Sequence, residues 1–226
     1  SKNEQQKSVS NQVQTARIMA NGDLLYHDGL YMSALQADGS YDFTENFTYV
    51  KPWLKQADLV LGDFEGTVNP DYPLSGYPLF NAPQSVTAAI SDAGYDVMDL
   101  AHNHILDSGL EGAFTTADAF KEVGIDPVGV YENPVRDKAP LFIKNVNGIK
   151  VAILSYAYGF NGLESNLTEK EIANHLSNLD EKRMKVEIER AEKEADVTVI
   201  MPQMGVEYRL EPTDEQVKLY HKMIDW

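Results

Sequence analysis

A chain of 226 residues with 43% hydrophobic content can bury a sizeable core, as one large domain or two small ones. Its formal net charge of −16 and isoelectric point near 4.6 leave no basic patch for a phosphate backbone, so nucleic acid and anionic membrane surfaces are repelled at long range. The lack of cysteine excludes disulfides, thiolate metal sites and a cysteine nucleophile, while leaving the compartment open.

Residues 1–15, SKNEQQKSVSNQVQT, are nearly free of large apolar side chains and read as a disordered polar tether. Such a leader is what remains when an export signal or lipid anchor is cut from an extracellular protein. No stretch approaches the length of a transmembrane helix, and no signal peptide is visible.

From Ala16 onward, short apolar runs alternate with helical patterns. ARIMANGD reads as a strand ending in a Gly-Asp turn, and ADLVLGDFE as a second strand ending in a second one. Between them a helix around Val50, Trp53, Leu54 and Ala57 is weakened by Pro52. Pro83 opens a helix with Val86, Ala89, Ile90 and Ala93 at the i, i+3, i+4, i+7 spacing. YDVMDLAHNH follows as strand and loop, then a helix marked by Leu110, Ala113, Phe114 and Ala117 and closed by Gly124.

IDPVGV is another short strand, and Asn147-Gly148 between two β-rich runs predicts a hairpin over APLFIKNVNGIKVAILSY. Thr168 with Glu171 forms a capping box, and Met184, Ile188, Ala191 and Ala195 line one face of a charged helix. DVTVIMP is the last strand, and Thr213 with Gln216 caps a final helix carrying Val217, Tyr220 and Ile224. No repeat or low-complexity linker divides residues 16–226, so one α/β domain with a mixed, largely parallel sheet is expected.

Ligands of such sheets collect beyond the carboxyl ends of the strands. Polar residues sit there repeatedly: Asp23 after the first strand, Asp63 and Glu65 after the second, Asn103, His104 and Asp107 after the third, and Gln203 after the last. Singly, Asp23 and Asp63 would be turn formers or helix caps, but their placement at adjacent strand ends points to a shared site. Carboxylates, an amide and an imidazole suit a divalent cation such as Mn²⁺, Fe²⁺, Zn²⁺ or Mg²⁺, which would also compensate an anionic substrate. His102 reads as a packing or backbone-bonding residue, and Asp107 as either a cap for the helix near Gly109 or support for His104. His27, His175 and His221 have no motif context. A Gly-x-Ser-x-Gly elbow, a phosphate loop and a dinucleotide fingerprint are all absent.

The succession Gly22-Asp23, Gly62-Asp63-Phe64-Glu65, HNHILDSG and MGVEYRLEPTDEQ resembles the CapA/PgsA family of poly-γ-glutamate capsule biosynthesis proteins, within the calcineurin-like metallophosphoesterase superfamily. The resemblance implies a metallophosphoesterase-like sandwich of mixed β-sheets flanked by helices, with a site for one or two divalent metals. It makes Asp23, Asp63, Glu65 and Asn103 the metal ligands and His104, with Asp107, the catalytic candidates. Two departures stand out: Leu25 replaces the histidine of an Asp-x-His motif, and Gln203-Met204-Gly205 replaces a His-Trp-Gly. The superfamily's late histidine loop has no counterpart before Trp226, which implies a domain truncated at its C-terminus.

Two functions follow as expectations. One is a metal-dependent hydrolase or transferase acting on a phosphoester or on γ-linked polyglutamate. The other is a non-catalytic component with a degenerate site that supports polymer synthesis or export. Either implies an anionic polymer such as poly-γ-glutamate as partner, with membrane synthase components beside it, and a place on the extracellular face of the cell membrane, anchored by a removed N-terminal segment. The helix ending at Trp226 could also leave a sheet edge open to pairing in a homodimer.

Overall fold

A computed structural model describes residues 13–226. The tether expected over residues 1–15 lies outside these up to residue 12; its last part runs beside the hairpin, where Asn147 Nδ2 donates to the Thr15 carbonyl (3.0 Å).

Seven strands form two sheets. The first contains β1 (Ile18–Leu25), β2 (Leu59–Glu65), β3 (Val97–Asp99) and β4 (Asp126–Val128) in that order, all parallel. The second contains β5 (Ile143–Val146), β6 (Ile149–Ala157) and β7 (Val197–Gln203), with β5 antiparallel and β7 parallel to β6. Residues of both sheets meet in one apolar layer, including Leu59, Leu61 and Val97 from the first and Val151, Ile153 and Val199 from the second. Helices cover the outer faces: α3 (Ser85–Ala93) and α4 (Gly109–Glu122) the first sheet, α6 (Glu181–Glu194) and α7 (Asp214–Asp225) the second. The result is an α/β sandwich of one parallel and one mixed sheet flanked by helices.

The helical patterns read from the sequence are present where periodicity was long. Val86, Ala89, Ile90 and Ala93 are buried on α3, which ends at left-handed Gly94 (φ 112°). Ala113, Phe114 and Ala117 are buried on α4, and Met184, Ile188 and Ala191 on α6. Both capping boxes form, Thr168 with Glu171 ahead of α5 (Glu169–His175) and Thr213 with Gln216 ahead of α7. Asn147 and Gly148 take positive φ (53° and 88°) between β5 and β6, as a two-residue hairpin requires.

Four local expectations change. Neither Gly-Asp pair is a turn: Gly22-Asp23 lies inside β1 and Gly62-Asp63 inside β2. The helix near Pro52 shrinks to one turn, α2 (Lys51–Leu54), leaving Trp53 exposed. A short helix, α1 (Asp28–Ser33), precedes it without any long apolar period to announce it. On α7 the inward residues are Leu219 and Met223, while Val217, Tyr220 and Ile224 stay exposed, because the i, i+4 pair alone reaches the apolar cluster beneath α6.

Gly62 packs β2 against the segment before β3. A Cβ there would stand 2.9 Å from Met98 Cε and from the Tyr95 ring. Gly62→Ala is expected to destabilise the fold by about 1–3 kcal/mol through overpacking, read as a lower urea midpoint with an unchanged slope.

Candidate functional site

Side chains alternate along a strand, so every second residue faces the other sheet. On β2 that series is Leu59, Leu61, Asp63, Glu65; on β3 it is Val97, Asp99; on β7 it is Val199, Met201, Gln203. Each series is apolar at its start and polar at its carboxyl end. The polar groups therefore gather at one end of the layer between the sheets.

β1 needs a correction to join them. Ile18 faces the layer, so regular alternation would turn Asp23 to the opposite face. A register shift between Ala20 and Asp23 inserts one residue relative to β2 and reverses the alternation. Asp23 is then paired with Asp63, and Asp63 with Asp99. Adjacent strands lie roughly 4.8 Å apart, so three aspartates stand side by side across three parallel strands. They line a cleft of about 770 Å³ with Glu65, Asn103, Tyr158 and the segment after β7. Glu207 and Glu211 add to the negative wall, and Arg209 is the one cation among the described lining residues.

That crowding reshapes the acids. Burial first, then the Asp99 charge and contact with Asp23, push the Asp63 carboxyl far above the ordinary range. Its Oδ1 is buried without a hydrogen-bond partner among the described residues. Glu65 is raised to about 7 by burial and contact with Asp23. Asp99 is also raised to about 7, burial outweighing the Ala101 N–H that donates to its Oδ1 (2.8 Å).

The loop after β3 carries the remaining candidates. His102 is fully buried, its Nδ1 accepting from the His104 N–H (3.1 Å), and burial beside His104 holds it down at about 3 and hence neutral. Asp107 does not cap α4, whose N-cap is Ser108. Its Oδ2 instead meets His104 Nδ1 at 2.7 Å and accepts the Phe80 N–H at 2.6 Å. His104 Nε2 lies 3.7 Å from Glu65 Oε1. Burial would lower the His104 pKa, but the Asp107 hydrogen bond and the Asp107 and Glu65 charges overcome it and the net shift is upward. Asp107 thus touches His104 rather than the cleft.

Asn103 is clamped across the sandwich. Its N–H donates to Gln203 Oε1 (2.7 Å), and Gln203 Nε2 donates to its Oδ1 (2.8 Å). Asn103 Nδ2 continues to Asn161 Oδ1 (3.1 Å), and Asn161 lies 3.5 Å from His104 Nδ1. Gln203 therefore uses a donor and an acceptor together, which an imidazole could not do toward one asparagine. Gln203→Leu is expected to leave both Asn103 groups unpaired, at a cost of about 1–3 kcal/mol. Faster hydrogen exchange at the Asn103 amide would report the lost clamp.

Comparison with known proteins decides the family. The profile described as bacterial capsule synthesis protein PGA_cap matches residues 17–226. The chain belongs to the PGA_cap family. Among curated PGA_cap relatives, "Capsule biosynthesis protein CapA" of Bacillus anthracis is 32% identical over 188 residues, covering 79% of this chain and 45% of that protein. "PGA biosynthesis protein CapA" of Bacillus subtilis (strain 168) is 27% identical over 183 residues, covering 79% and 47%. The chain spans less than half the length of both. Among solved structures, a candidate 5′-nucleotidase from Staphylococcus aureus in complex with alpha-ketoglutarate superposes with a TM-score of 0.55 at 14% identity, over 93% of this chain and 43% of its own. The PGA_cap domain thus has a metallophosphoesterase-like fold.

The donor chemistry of the PGA_cap cleft fits a hard divalent cation, since its acids are oxygen ligands and the buried Asp63 Oδ1 has no hydrogen-bond partner among the described residues. Among the described residues, however, no three acidic or histidine side chains close to coordination distance. Asp23, Asp63, Glu65 and Asn103 come together as expected, and Asp99 joins them. Asp99 was missed beside the more conspicuous HNH, although it ends the same alternation as Val97. Asn161 was missed because nothing in its local sequence marks it.

Proposed function

We propose that this PGA_cap domain is a cation-dependent hydrolase or transferase acting on poly-γ-glutamate. The row Asp23–Asp63–Asp99, with a buried and unpartnered Asp63 oxygen, is the observation that carries the reading. Carboxylates forced together with one cationic neighbour call for a divalent ion. Asp23, Asp63, Glu65 and Asp99 would hold it, with the Asn103 amide oriented by Gln203. When bound, such an ion supplies an activated water and polarises the bond under attack. His104, kept basic by Asp107, holds a proton at the ring nitrogen nearest Glu65 and delivers it to the leaving atom. The polymer is suggested by the relatives' printed roles in capsule and PGA biosynthesis.

We further place the protein on the extracellular face of the membrane, alongside membrane synthase components, since capsule polymer accumulates outside the cell. Among the described residues no helix is long and apolar enough to cross a membrane. The test is metal analysis of the full-length protein, then assays on γ-polyglutamate and on a generic phosphodiester with and without Mn²⁺. Mn²⁺-dependent shortening or transfer of the polymer is expected. Retention of metal without turnover on either substrate would sink the catalytic reading and leave a supporting role in polymer assembly.

A further inference from the structure

A second cavity, of about 670 Å³, lies between the end of β4, the start of the β5–β6 hairpin and α6. Its charge is inverted relative to the rest of the molecule. Arg136, Lys182, Arg183 and Arg190 line it against Asp137 and Glu187, in a chain of net charge −16. Lys182, Arg183, Val186 and Arg190 share one face of α6, and Arg183 and Arg190 are about 10 Å apart along its axis.

Arg183 pairs with Asp137 (2.5 Å) and Arg190 with Glu194 (2.6 Å), which leaves Lys182 as the lining cation without an ion pair among the described residues; the Glu187 oxygens are engaged inward. They receive Arg136 Nε (3.0 Å), Arg136 Nη2 (2.9 Å) and the Tyr156 hydroxyl (2.7 Å). Arg136 itself is 4% exposed, lies beside the Tyr131 and Tyr156 rings, and gives one further N–H to the Leu176 carbonyl. Of the five guanidinium N–H groups, the others have no acceptor among the described residues. Ser155, 5% exposed, also lines the cavity. At this strand edge Ile153 and Ala157 donate to the Phe142 and Ser177 carbonyls, and Ser177 Oγ donates to the Ser155 carbonyl (2.5 Å). Val130, Leu141, Phe142 and Val186 supply apolar surface between the charges.

We propose that this cavity is a second binding site, for a run of carboxylates on an extended chain with aliphatic spacers, the chemistry of an oligo-γ-glutamyl segment. Cations spread along two turns of helix match several separated carboxylates better than one compact phosphate, and the apolar wall suits methylene spacers. The choice of a glutamyl chain rests on the polymer reading above; the site itself rests on the cavity.

Isothermal titration of the full-length protein with a γ-linked glutamate decamer, in EDTA so that no turnover intervenes, tests it. Lys182→Gln/Arg190→Gln, at two exposed positions that the core does not need, is expected to weaken binding about tenfold or more. Asp23→Asn, in the acidic cleft, is expected to leave it unchanged, and rising salt to weaken it. Unchanged affinity in the double variant, no binding to the parent protein, or loss of binding in Asp23→Asn would overturn the proposal. Inorganic phosphate or tripolyphosphate binding as tightly as the decamer would overturn the carboxylate assignment. Loss of catalysis with decamer binding intact would defeat the proposed activity and leave this site standing.

Discussion

Asp63→Asn is expected to abolish stabilisation by Mn²⁺ and to flatten the pH dependence of the metal-free protein. The physical basis is the row of acids. A carboxyl whose folded pKa is raised binds its proton more tightly in the native state, so its contribution is complete below the unfolded value, near ~4, and is lost as pH rises toward the folded one. Burial and mutual repulsion raise Asp63, Glu65 and Asp99, the latter two to about 7. Metal-free protein should therefore lose stability steadily between pH 5 and pH 7. The slope is roughly 1.4 kcal/mol per pH unit for each carboxyl protonated only when folded. Asparagine keeps the shape of protonated Asp63 without the titration, so the variant's slope should be shallower by about one such increment. In the parent, Mn²⁺ at a hundred times its dissociation constant should add about 2.7 kcal/mol at pH 7.5. Thermal melts with and without Mn²⁺ across this range read both effects. A variant that gains as much from Mn²⁺ as the parent would put the cation elsewhere.

His104→Ala is expected to lower turnover of poly-γ-glutamate about 10²–10⁴-fold while leaving Mn²⁺ stabilisation intact, the loss typical of removing a general acid. Asp107→Asn should act through His104. Without the carboxylate at 2.7 Å the imidazole pKa falls, so the limb of the pH–rate profile that needs protonated His104 should move to lower pH. Activity of His104→Ala equal to the parent, or an unmoved profile in Asp107→Asn, would remove His104 from the chemistry.

Much of this arrangement was legible in the sequence because it follows short periods. Alternation in LVLGDFE orders Leu59, Leu61, Asp63 and Glu65 on one face, and the same period applied to DVMD would have found Asp99. The spacing on α3, α4 and α6 identified their buried faces, since an apolar repeat sustained over two turns or more leaves little ambiguity. The shift in β1 was not legible: Asn21-Gly22 suits a turn as well as a bulge, and only pairing with β2 selects between them. Gln203 read as a weak substitute for a ligand, whereas its contacts to Asn103, a hundred residues away in sequence, exist only once two sheets meet. The inward face of α7 failed for a related reason, since two competing apolar stripes occupy one amphipathic helix and the cluster beneath it decides which is buried.

The chain order of the strands bears on how the acids come to be enclosed. β1 to β4, with all three in-register aspartates, lie within residues 18–128, whereas β6 and β7 follow Gly148. A nascent chain can thus assemble the first sheet with its acids still solvated. Dehydration of Asp63 and Asp99 is then deferred until Met201 and Gln203 close over the layer. Repulsion felt only after the rate-limiting barrier accelerates escape from the native basin and barely affects entry. A cation in the cleft would accordingly act as a latch, lengthening the lifetime of the folded protein without hastening its formation.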